Sequence, residues 1–491
     1  MERRARIVAT VGPASSSETV LGRLLEAGVD VVRLNLSHGS HAEHRRRIRL
    51  LRRLAEARGL PVPVIADLMG PRYRLGELPA ERVLRTGERV SLGEPGRGVD
   101  LPVDGVEILR HLRKGERVLI DNGLVELRVE TKSARTVRAR VIFGGPVSTR
   151  KGINLPDSEL PFTISAKDRA DISFAVREGV DFLALSYVGR AVEIEAIRAV
   201  ARAAGRDLPV IAKLERALAI EYLDEIVESA DSVMVARGDL GVEVALDRVP
   251  VLQKQIVAAG RRLGKPVIVA TQMLESMMIQ PRPTRAEASD VANAVFDGAD
   301  ALMLSGETAA GRFPVEAVAT MDRVIREAER YRWSPEGRAG WSPHVHVHGP
   351  LRPGGTESVN QTRDVHFDIP DVVCESAVEA ARRLGDGPIV AFSQGGFTAR
   401  MIARYRPAVP IVVFTADRRT ARRMQLIWGV RPLLIPTRLR RLDEVVAVVD
   451  RELLARRLVQ AGETIVILMG DPIAERPLTN LMRVHRVRRK G

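Results

Sequence analysis

The sequence predicts an α/β fold: a (β/α)8 barrel that is interrupted by an inserted all-β domain and followed by a second α/β domain. Three observations lead to this prediction. Eight short apolar runs alternate with helical segments, and eight strand–helix units close into a barrel. The alternation stops between residues 72 and 158, where short β-like runs are separated by Gly and Pro. After residue 331 a stretch rich in Pro, Gly and His precedes new strands and helices.

The first three barrel strands are predicted at residues 6–11, 29–37 and 63–68, with helices at 18–27 and 42–58. Ser15 to Ser17 supply a helix cap before the first helix. The second strand alternates cleanly, so Arg33, Asn35 and Ser37 point to the opposite side from the leucines between them. The third strand ends at Asp67.

The insertion is predicted as a small all-β domain over residues 72–158, and the barrel as residues 1–71 and 159–331. The β-like runs of the insertion lie at 89–92, 117–120, 124–129 and 137–142, with no long helical period between them. A compact unit placed within another domain in this way folds around its own core.

The remaining barrel strands are predicted at 181–188, 210–215, 232–240, 266–273 and 301–307. A helix at 216–229 joins the fifth strand to the sixth, because its apolar residues share one face. A capping box, Thr284 with Glu287, opens the helix before the eighth strand.

The fifth and sixth strands bring three charged residues to one end of the barrel. Lys213 and Glu215 are two apart on a strand and therefore project together, and Asp239 follows the next strand. Two carboxylates beside an ammonium are typical of a hard divalent cation next to an anionic substrate. On this stretch alone, a salt-bridged barrel rim is an equally good interpretation.

The other strands make the catalytic interpretation the stronger one. Barrels of this kind have their active sites at the carboxyl ends of the strands, and polar residues from separate strands gather there. They are Arg33, Asn35, Ser37, Asp67, Lys213, Glu215, Asp239, Thr271 and Glu307.

Composition limits the remaining possibilities. The chain has 491 residues and a net charge of +14, which favours anionic partners, either nucleic acid or phosphorylated metabolites. Aromatic residues make up only 4%, which disfavours a base-stacking platform. One cysteine, Cys374, excludes an internal disulfide. No apolar run approaches a membrane span, and the N-terminus has no signal-like segment. We expect a cytoplasmic protein that binds neither membranes nor nucleic acid.

The C-terminal part divides into a linker or surface excursion at 332–369 and an α/β domain at 370–491. The linker contains His344, His346 and His348, for which an exposed loop is a better interpretation than a metal cluster because no acidic or cysteine partner is near in sequence. The domain's first strand runs into a turn, Ser393 to Thr398, before a helix. Such a turn can hold a phosphate or simply connect strand and helix.

The chain resembles the pyruvate kinase family over nearly its whole length. The matching stretches are IVATVGPASSS (7–17), DVVRLNLSHG (30–39), KGINLP (151–156), MVARGDLGVEV (234–244), VATQMLESM (269–277), PTRAEASDVANAVFD (283–297) and MLSGETA (303–309). The resemblance implies a catalytic barrel, an inserted β-barrel lid and a C-terminal regulatory domain. It also implies a homotetramer.

The activity implied is transfer of the phosphoryl group of phosphoenolpyruvate to ADP, giving pyruvate and ATP, with Mg²⁺ or Mn²⁺ bound by Glu215 and Asp239. By resemblance, Lys213 stabilises the transferring group. The resemblance also implies that Arg33 binds phosphate and that the substrate carboxylate is bound by Gly238, Asp239 and Thr271. The implied nucleotide-side contacts come from Arg33, Asn35, His38, Arg74 and Lys151. The implied effector site consists of Ser393, Gly396 and Thr398.

One departure from the family pattern concerns potassium. Most members need K⁺, at positions matching Asn35, Ser37, Asp67 and the Leu68 carbonyl. Here Arg72 stands where Glu is usual, with Leu75 nearby, as in members that work without K⁺. A guanidinium can bind the same oxygens in a fork, so we expect Arg72 to act catalytically and K⁺ not to be required. The alternative is that Arg72 points to solvent.

Two other functions stay open at this point. A metal-dependent aldolase or lyase acting through a pyruvate enolate would use Glu215 and Asp239, but would not need the lid, Lys151 or Arg74. A nucleic-acid-binding role would follow from the charge, but leaves the polar strand ends unexplained.

Overall fold

The computed structural model describes residues 3–71, 73–96, 98–133, 135–334, 337, 369–385, 387–435, 441–470 and 479–488. Three predictions made above concern residues outside these ranges: the role of Arg72, the histidines at 344, 346 and 348, and nearly all of the linker at 332–369. No described helix is long and apolar enough to cross a membrane.

Eight parallel strands form a closed barrel in which each strand pairs with its neighbours in chain order and the first pairs with the eighth. The strands are Arg6–Thr10, Val31–Asn35, Val64–Asp67, Phe182–Leu185, Val210–Leu214, Ser232–Ala236, Val267–Ala270 and Ala301–Leu304. The predicted fold class is confirmed. Every predicted strand contains the observed one and runs past its end, because the residues that follow each observed strand, such as Asp239 and Glu307, belong to loops and short helices.

The helices pack around the strands. They are Glu18–Glu26, His41–Ala57, Ala166–Arg177, Ala191–Ala203, Ala217–Glu221, Leu223–Ser229, Arg237–Glu243, Val249–Arg262, Arg285–Asp297, Gly306–Ala309 and Pro314–Trp333. Ser17 caps the first of them, and the capping box of Thr284 and Glu287 is present.

For two predicted elements the structure shows why the observed extent differs. The helix predicted at 216–229 is broken at Tyr222, whose backbone leaves the helical region (φ −106°, ψ 29°) and whose ring lies beneath the Arg190 guanidinium. The strand predicted at 232–240 ends at Ala236, where the helix Arg237–Glu243 begins. In the first case a tertiary contact of Tyr222 overrides the helical periodicity of the sequence. In the second case the apolar pattern does not reveal the turn that ends the strand.

The opposite, amino-terminal end of the barrel carries a regular charge arrangement, called here the aspartate ring. Asp30, Asp181, Asp231 and Asp300 directly precede the even-numbered strands. Each accepts a backbone hydrogen bond from the start of the preceding odd-numbered strand, at 2.8–3.0 Å. Each is also paired with at least one arginine. The ring therefore holds neighbouring strands in register at the amino-terminal end of the barrel.

The insertion is a β-barrel of its own, as predicted. Seven strands close it: Tyr73–Leu75, Arg89–Gly93, Leu101–Asp104, Arg117–Ile120, Val125–Lys132, Thr136–Phe143 and Gly152–Asn154. Two more, Arg82–Leu84 and Gly145–Val147, form a separate two-stranded sheet. A dedicated apolar core fills this lid, so it is packed as a unit of its own.

The C-terminal domain contains a five-stranded sheet, with one antiparallel strand at its edge. The strands are Ile389–Phe392, Ile411–Thr415, Val430–Leu434, Thr464–Met469 and Leu481–Arg486, and the helices are Ile369–Leu384, Phe397–Ala403, Arg418–Arg423 and Leu442–Ala455.

This domain docks on the amino-terminal end of the barrel. Leu426 packs into the core inside the barrel. Arg406 and Arg422 reach Asp300 and Asp181 of the aspartate ring, both at 2.8 Å. The carboxyl end of the barrel consequently stays free for the lid and for the candidate site.

Candidate active site

Lys213 lies at the centre of a buried charge network at the carboxyl end of the barrel. Its Nζ is 2.8 Å from Glu215 Oε1 and 3.5 Å from Asp67 Oδ1, and it donates to Ser186 Oγ at 2.8 Å. Burial alone would lower the pKa of Lys213, but the two carboxylates outweigh it and the pKa is raised. The ammonium is therefore permanently charged and held in position.

Glu215 and Asp239 are joined through one residue, Tyr187. The Tyr187 backbone N–H donates to Glu215 Oε2 at 2.7 Å, and its phenol oxygen lies 3.5 Å from Asp239 Oδ1. Tyr187 holds this position with a left-handed backbone (φ 58°). Burial, reinforced by the Asp239 charge, raises the pKa of Glu215 to about 7 even though Lys213 opposes the shift.

Arg33 and Asp67 continue the network across the second and third strands. Arg33 Nε donates to Asp67 Oδ2 at 2.6 Å, and its Nη1 donates to Thr10 Oγ1 at 3.1 Å. Burial would raise the pKa of Asp67, but Lys213 and Arg33 outweigh it, so the pKa is lowered. The Arg33 guanidinium is thus held in a fixed orientation by Asp67 and Thr10.

Thr271 occupies a strained turn after the seventh strand. Thr271 and Gln272 both have positive φ, 68° and 54°, which is uncommon outside glycine and typical of functional sites. Thr271 Oγ1 accepts from the Gly238 backbone N–H at 2.8 Å. Arg237 donates to the Thr271 carbonyl at 2.7 Å and pairs with Asp290 at 2.6 Å. The turn is therefore locked against the helix that carries Asp239.

The loop after the second strand brings the predicted monovalent-cation positions close together. Asn35 is paired in register with Asp67, and Asn35 Oδ1 accepts from the Ser37 backbone N–H at 3.1 Å. The Leu68 carbonyl accepts from Ser186 Oγ at 2.9 Å. His38 is exposed at the outer rim of this loop.

A cleft of about 350 Å³ separates the lid from the barrel. Arg74, Lys151 and Asp239 line it together, so lid residues face the barrel site. Lys151 Nζ is 2.6 Å from Asp121 Oδ2 within the lid. Asn154 of the lid donates to Glu243 at 3.2 Å, and Glu243 lies on the same helix as Asp239.

The donor set at Glu215 and Asp239 fits a divalent metal. Glu215 Oε1 is buried and accepts no hydrogen bond within the described chain, because its contact with Lys213 lacks hydrogen-bond geometry. Asp239 lines the cleft. Among the described residues no group of three or more His, Cys, Asp or Glu could hold a metal. Two carboxylates would thus need substrate oxygens to complete the coordination shell.

The turn at Ser393 to Thr398 is stabilised from within. Ser393 Oγ accepts from the Gly396 backbone N–H at 2.9 Å, and Gly396 has the positive φ of 82° that this turn requires. Thr398 Oγ1 is hydrogen-bonded to Thr479 Oγ1 at 2.7 Å. The turn is on the C-terminal domain, remote from Lys213.

Of the sequence-predicted site residues, Arg33, Asp67, Lys213 and Glu215 are in direct contact, and Thr271 and Gly238 form a second contacting group beside Asp239. Glu307 has a structural role instead, since its carboxylate accepts from the backbone N–H groups of Leu274 and Ser305. Sequence reasoning did not assign roles to Thr10, Ser186 or Tyr187. Their only signal was a polar residue at the end of a strand.

Comparisons with known proteins agree over almost the whole chain. Residues 2–318 match the family described as "Pyruvate kinase, barrel domain", and residues 371–485 match "Pyruvate kinase, alpha/beta domain". A pyruvate kinase of Agrobacterium vitis is 42% identical over 98% of both chains. Those of Corynebacterium efficiens and Mycobacterium tuberculosis are 40% and 39% identical over at least 98% of each chain.

Proposed function

This chain belongs to the pyruvate kinase family, and on that premise we propose which of its side chains carry out the reaction. The enzyme is a phosphotransferase that moves the phosphoryl group of phosphoenolpyruvate to ADP. The observation that supports the assignment is the buried network of Lys213, Glu215, Asp67 and Arg33 at the end of the barrel covered by the lid.

Lys213 is the main charge-stabilising group. During transfer, the bond between phosphorus and the enol oxygen breaks, and a bond to the terminal phosphate oxygen of ADP forms. The electron pair left on the enol oxygen gives an enolate, which takes a proton at its terminal carbon to become pyruvate. A fixed ammonium beside the transferring group stabilises this charge without reorganisation.

Pyruvate kinases generally need a divalent metal such as Mg²⁺, and here Glu215 and Asp239 would hold it, with Mn²⁺ as a substitute. When bound, the metal supplies positive charge to the phosphoryl oxygens. Tyr187, in contact with both carboxylates, orients them.

The remaining contacts divide between the two substrates. Arg33 binds the phosphoryl group, whereas Gly238, Asp239 and Thr271 bind the substrate carboxylate, with Thr271 beside the carbon that is protonated. Arg33, Asn35, His38, Arg74 and Lys151 act on the nucleotide side. Closure of the lid over the cleft excludes water from the reaction.

The family generally needs K⁺ as well, and we propose that this enzyme does not. Arg72 would supply the positive charge near Asn35, Ser37, Asp67 and the Leu68 carbonyl. Leu75 is fully buried in the lid core, so its contribution would come from packing rather than contact with a cation. Any direct electrostatic role therefore falls to Arg72.

Regulation and assembly follow the family pattern in this proposal. A sugar phosphate or nucleoside monophosphate would bind at Ser393, Gly396 and Thr398 and lower the apparent KM for phosphoenolpyruvate. Fructose 1,6-bisphosphate is disfavoured, since its second phosphate needs basic partners where Phe397 stands. We further propose a cytoplasmic homotetramer.

One coupled assay tests the function. Pyruvate should form from phosphoenolpyruvate only when ADP and a divalent metal are present, with ATP produced in equal amount. Pyruvate formed without ADP would contradict the assignment. Neither the family match nor the relatives support the enolate aldolase or lyase considered from sequence.

A further inference from the structure

A small polar cavity lies where the C-terminal domain meets the barrel, at the end opposite the active site. It has a volume of about 10 Å³, which is room for about one water-sized sphere. Arg261 and Lys265 line it from the barrel, and Arg400, Arg404 and Arg406 line it from the C-terminal domain. Asp300 of the aspartate ring is the only acidic residue among its described lining residues.

Three of the residues that line this cavity each have a buried N–H group without an acceptor in the described chain. The Nε atoms of Arg261, Arg404 and Arg406 are inaccessible to solvent and make no hydrogen bond within the described chain. Buried polar groups are nearly always paired with protein, water or an ion. An unpaired N–H on each of three residues around one cavity therefore indicates a shared acceptor.

The guanidinium groups cannot easily turn to find other partners, because their terminal nitrogens are already bound. Arg406 donates to Asp300 at 2.8 Å and to the Gly298 carbonyl at 2.7 Å. Arg404 donates to the Arg262 carbonyl at 3.1 Å and also pairs with Asp371. These contacts hold the planes of Arg404 and Arg406 in place.

The local charge is unbalanced. Five cationic side chains surround the cavity, whereas Asp300 and Asp371 are the carboxylates that pair with them. The Arg400 side chain makes no hydrogen bond to a described residue; it lies over the Phe397 ring, 6.0 Å from its centroid, and Asp231 is the carboxylate whose charge acts on it. Burial, together with the Arg406 charge, lowers the pKa of Arg261 to about 10, as expected where positive charge lacks compensation.

We propose that this cavity binds a monatomic anion, chloride under ordinary conditions, that accepts hydrogen bonds from Arg261, Arg404 and Arg406. A water molecule would fit, but it is neutral and can accept from only two donors while having to place its own protons among cations. Phosphate or a carboxylate ligand is too large for the cavity. Because Arg261 belongs to the barrel and Arg404 and Arg406 to the C-terminal domain, the ion joins the two domains.

Crystals of the full chain grown in sodium bromide test the proposal directly. Bromide replaces chloride and has an anomalous signal that water lacks. We expect an anomalous difference peak in contact with the three Nε atoms. Electron density at this position without an anomalous signal would identify water and overturn the proposal.

Thermal unfolding of the full chain provides a second test in solution. The wild type should unfold about 2–4 °C higher in sodium chloride than in sodium gluconate at equal ionic strength, since gluconate cannot enter the cavity. Arg261→Gln should lose this difference. Arg262→Gln is the matched control, because its side chain pairs with Asp224 on the surface, and it should keep the difference.

Equal melting temperatures of the wild type in the two salts would contradict the proposal, as would a chloride effect that persists in Arg261→Gln. If Arg261→Gln does not fold, the bromide crystals and the wild-type salt comparison still decide the question.

Discussion

Replacing Lys213 with Met is the most direct test of the proposed chemistry. Methionine keeps most of the side-chain volume but cannot carry charge or donate a hydrogen bond. The change removes the contacts with Glu215 Oε1 at 2.8 Å, Ser186 Oγ at 2.8 Å and Asp67 Oδ1 at 3.5 Å. It leaves Arg33 on Asp67 at 2.6 Å and the Tyr187 N–H on Glu215 at 2.7 Å.

These contacts set the expected size of the effect. Loss of one preorganised group that stabilises transition-state charge costs about 2.7–4 kcal/mol, or a factor of roughly 10²–10³ in kcat.

The protein should still fold, because Asp67 keeps Arg33 and Glu215 can take up a proton. Without Lys213, the pKa of Glu215 rises above the value of about 7 in the wild type. A raised carboxylate pKa removes stability as the pH increases from the unfolded value toward the folded one. Wild type and variant lose this stability together up to about pH 7, so the variant's deficit relative to the wild type should grow only above about pH 7.

The assay is the coupled formation of pyruvate, with kcat and KM measured separately, and Mn²⁺ binding measured near pH 8.5. We expect a large fall in kcat with metal binding largely retained. Lys254→Met is the matched control, because Lys254 pairs with Asp297 on an outer helix face, and its activity should be unchanged. A Lys213→Met enzyme within about threefold of the wild-type kcat would refute the assigned role.

Three further predictions concern the metal, the monovalent cation and the effector. Because the pKa of Glu215 is about 7, Mn²⁺ must displace a proton at lower pH, so its affinity should fall about tenfold from pH 8 to pH 6. Glu215→Gln should bind weakly with no such pH dependence, and a wild-type affinity that does not change with pH would contradict the prediction. Activity with Mg²⁺ should be nearly complete in buffer free of Na⁺ and K⁺, and Arg72→Glu should weaken it and introduce a K⁺ requirement. A tenfold rise of wild-type activity on adding KCl at constant ionic strength would argue against it. Thr398→Glu should abolish the lowering of the apparent KM by phosphorylated effectors, since a carboxylate would repel phosphate beside Gly396, and an intact response would place the effector elsewhere.

The barrel and the residues at its carboxyl end could be predicted from sequence because two simple patterns indicate them. One is the alternation of strands with helices, and the other is the two-residue repeat along each strand. Alternation along the second strand placed Arg33 and Asn35 on one side, and the two-residue spacing of Lys213 and Glu215 placed them together. Parallel strands then bring such residues to one end. Distances and partners could not be obtained in this way, because they depend on which strands become neighbours and on how each loop turns.

The parts that sequence did not reveal depend on backbone conformation or on contacts between distant segments. Tyr187 and Thr271 have left-handed backbone conformations, which the sequence does not indicate because neither residue is a glycine. The role of Tyr187 depends on its N–H group, which contacts Glu215, and on its phenol oxygen, which lies near Asp239. Nothing in the sequence distinguishes Asp181 and Asp300 from other polar residues at the starts of strands. Their importance appears only once Arg422 and Arg406, more than 100 positions later in the chain, are seen to pair with them.

The aspartate ring has a consequence for the order in which the protein can be completed during synthesis. The barrel strands end at Leu304, but Asp300 receives Arg406 and the Trp428 backbone N–H, and Asp181 receives Arg422. A nascent chain that has just released its eighth strand from the ribosome therefore lacks the cationic partner of buried Asp300, while Asp181 is paired with Arg52 alone. Leaving a buried charge uncompensated costs on the order of 3–5 kcal/mol. We expect the barrel to close firmly only after more than 100 further residues have emerged, so that the last domain to be made completes the first.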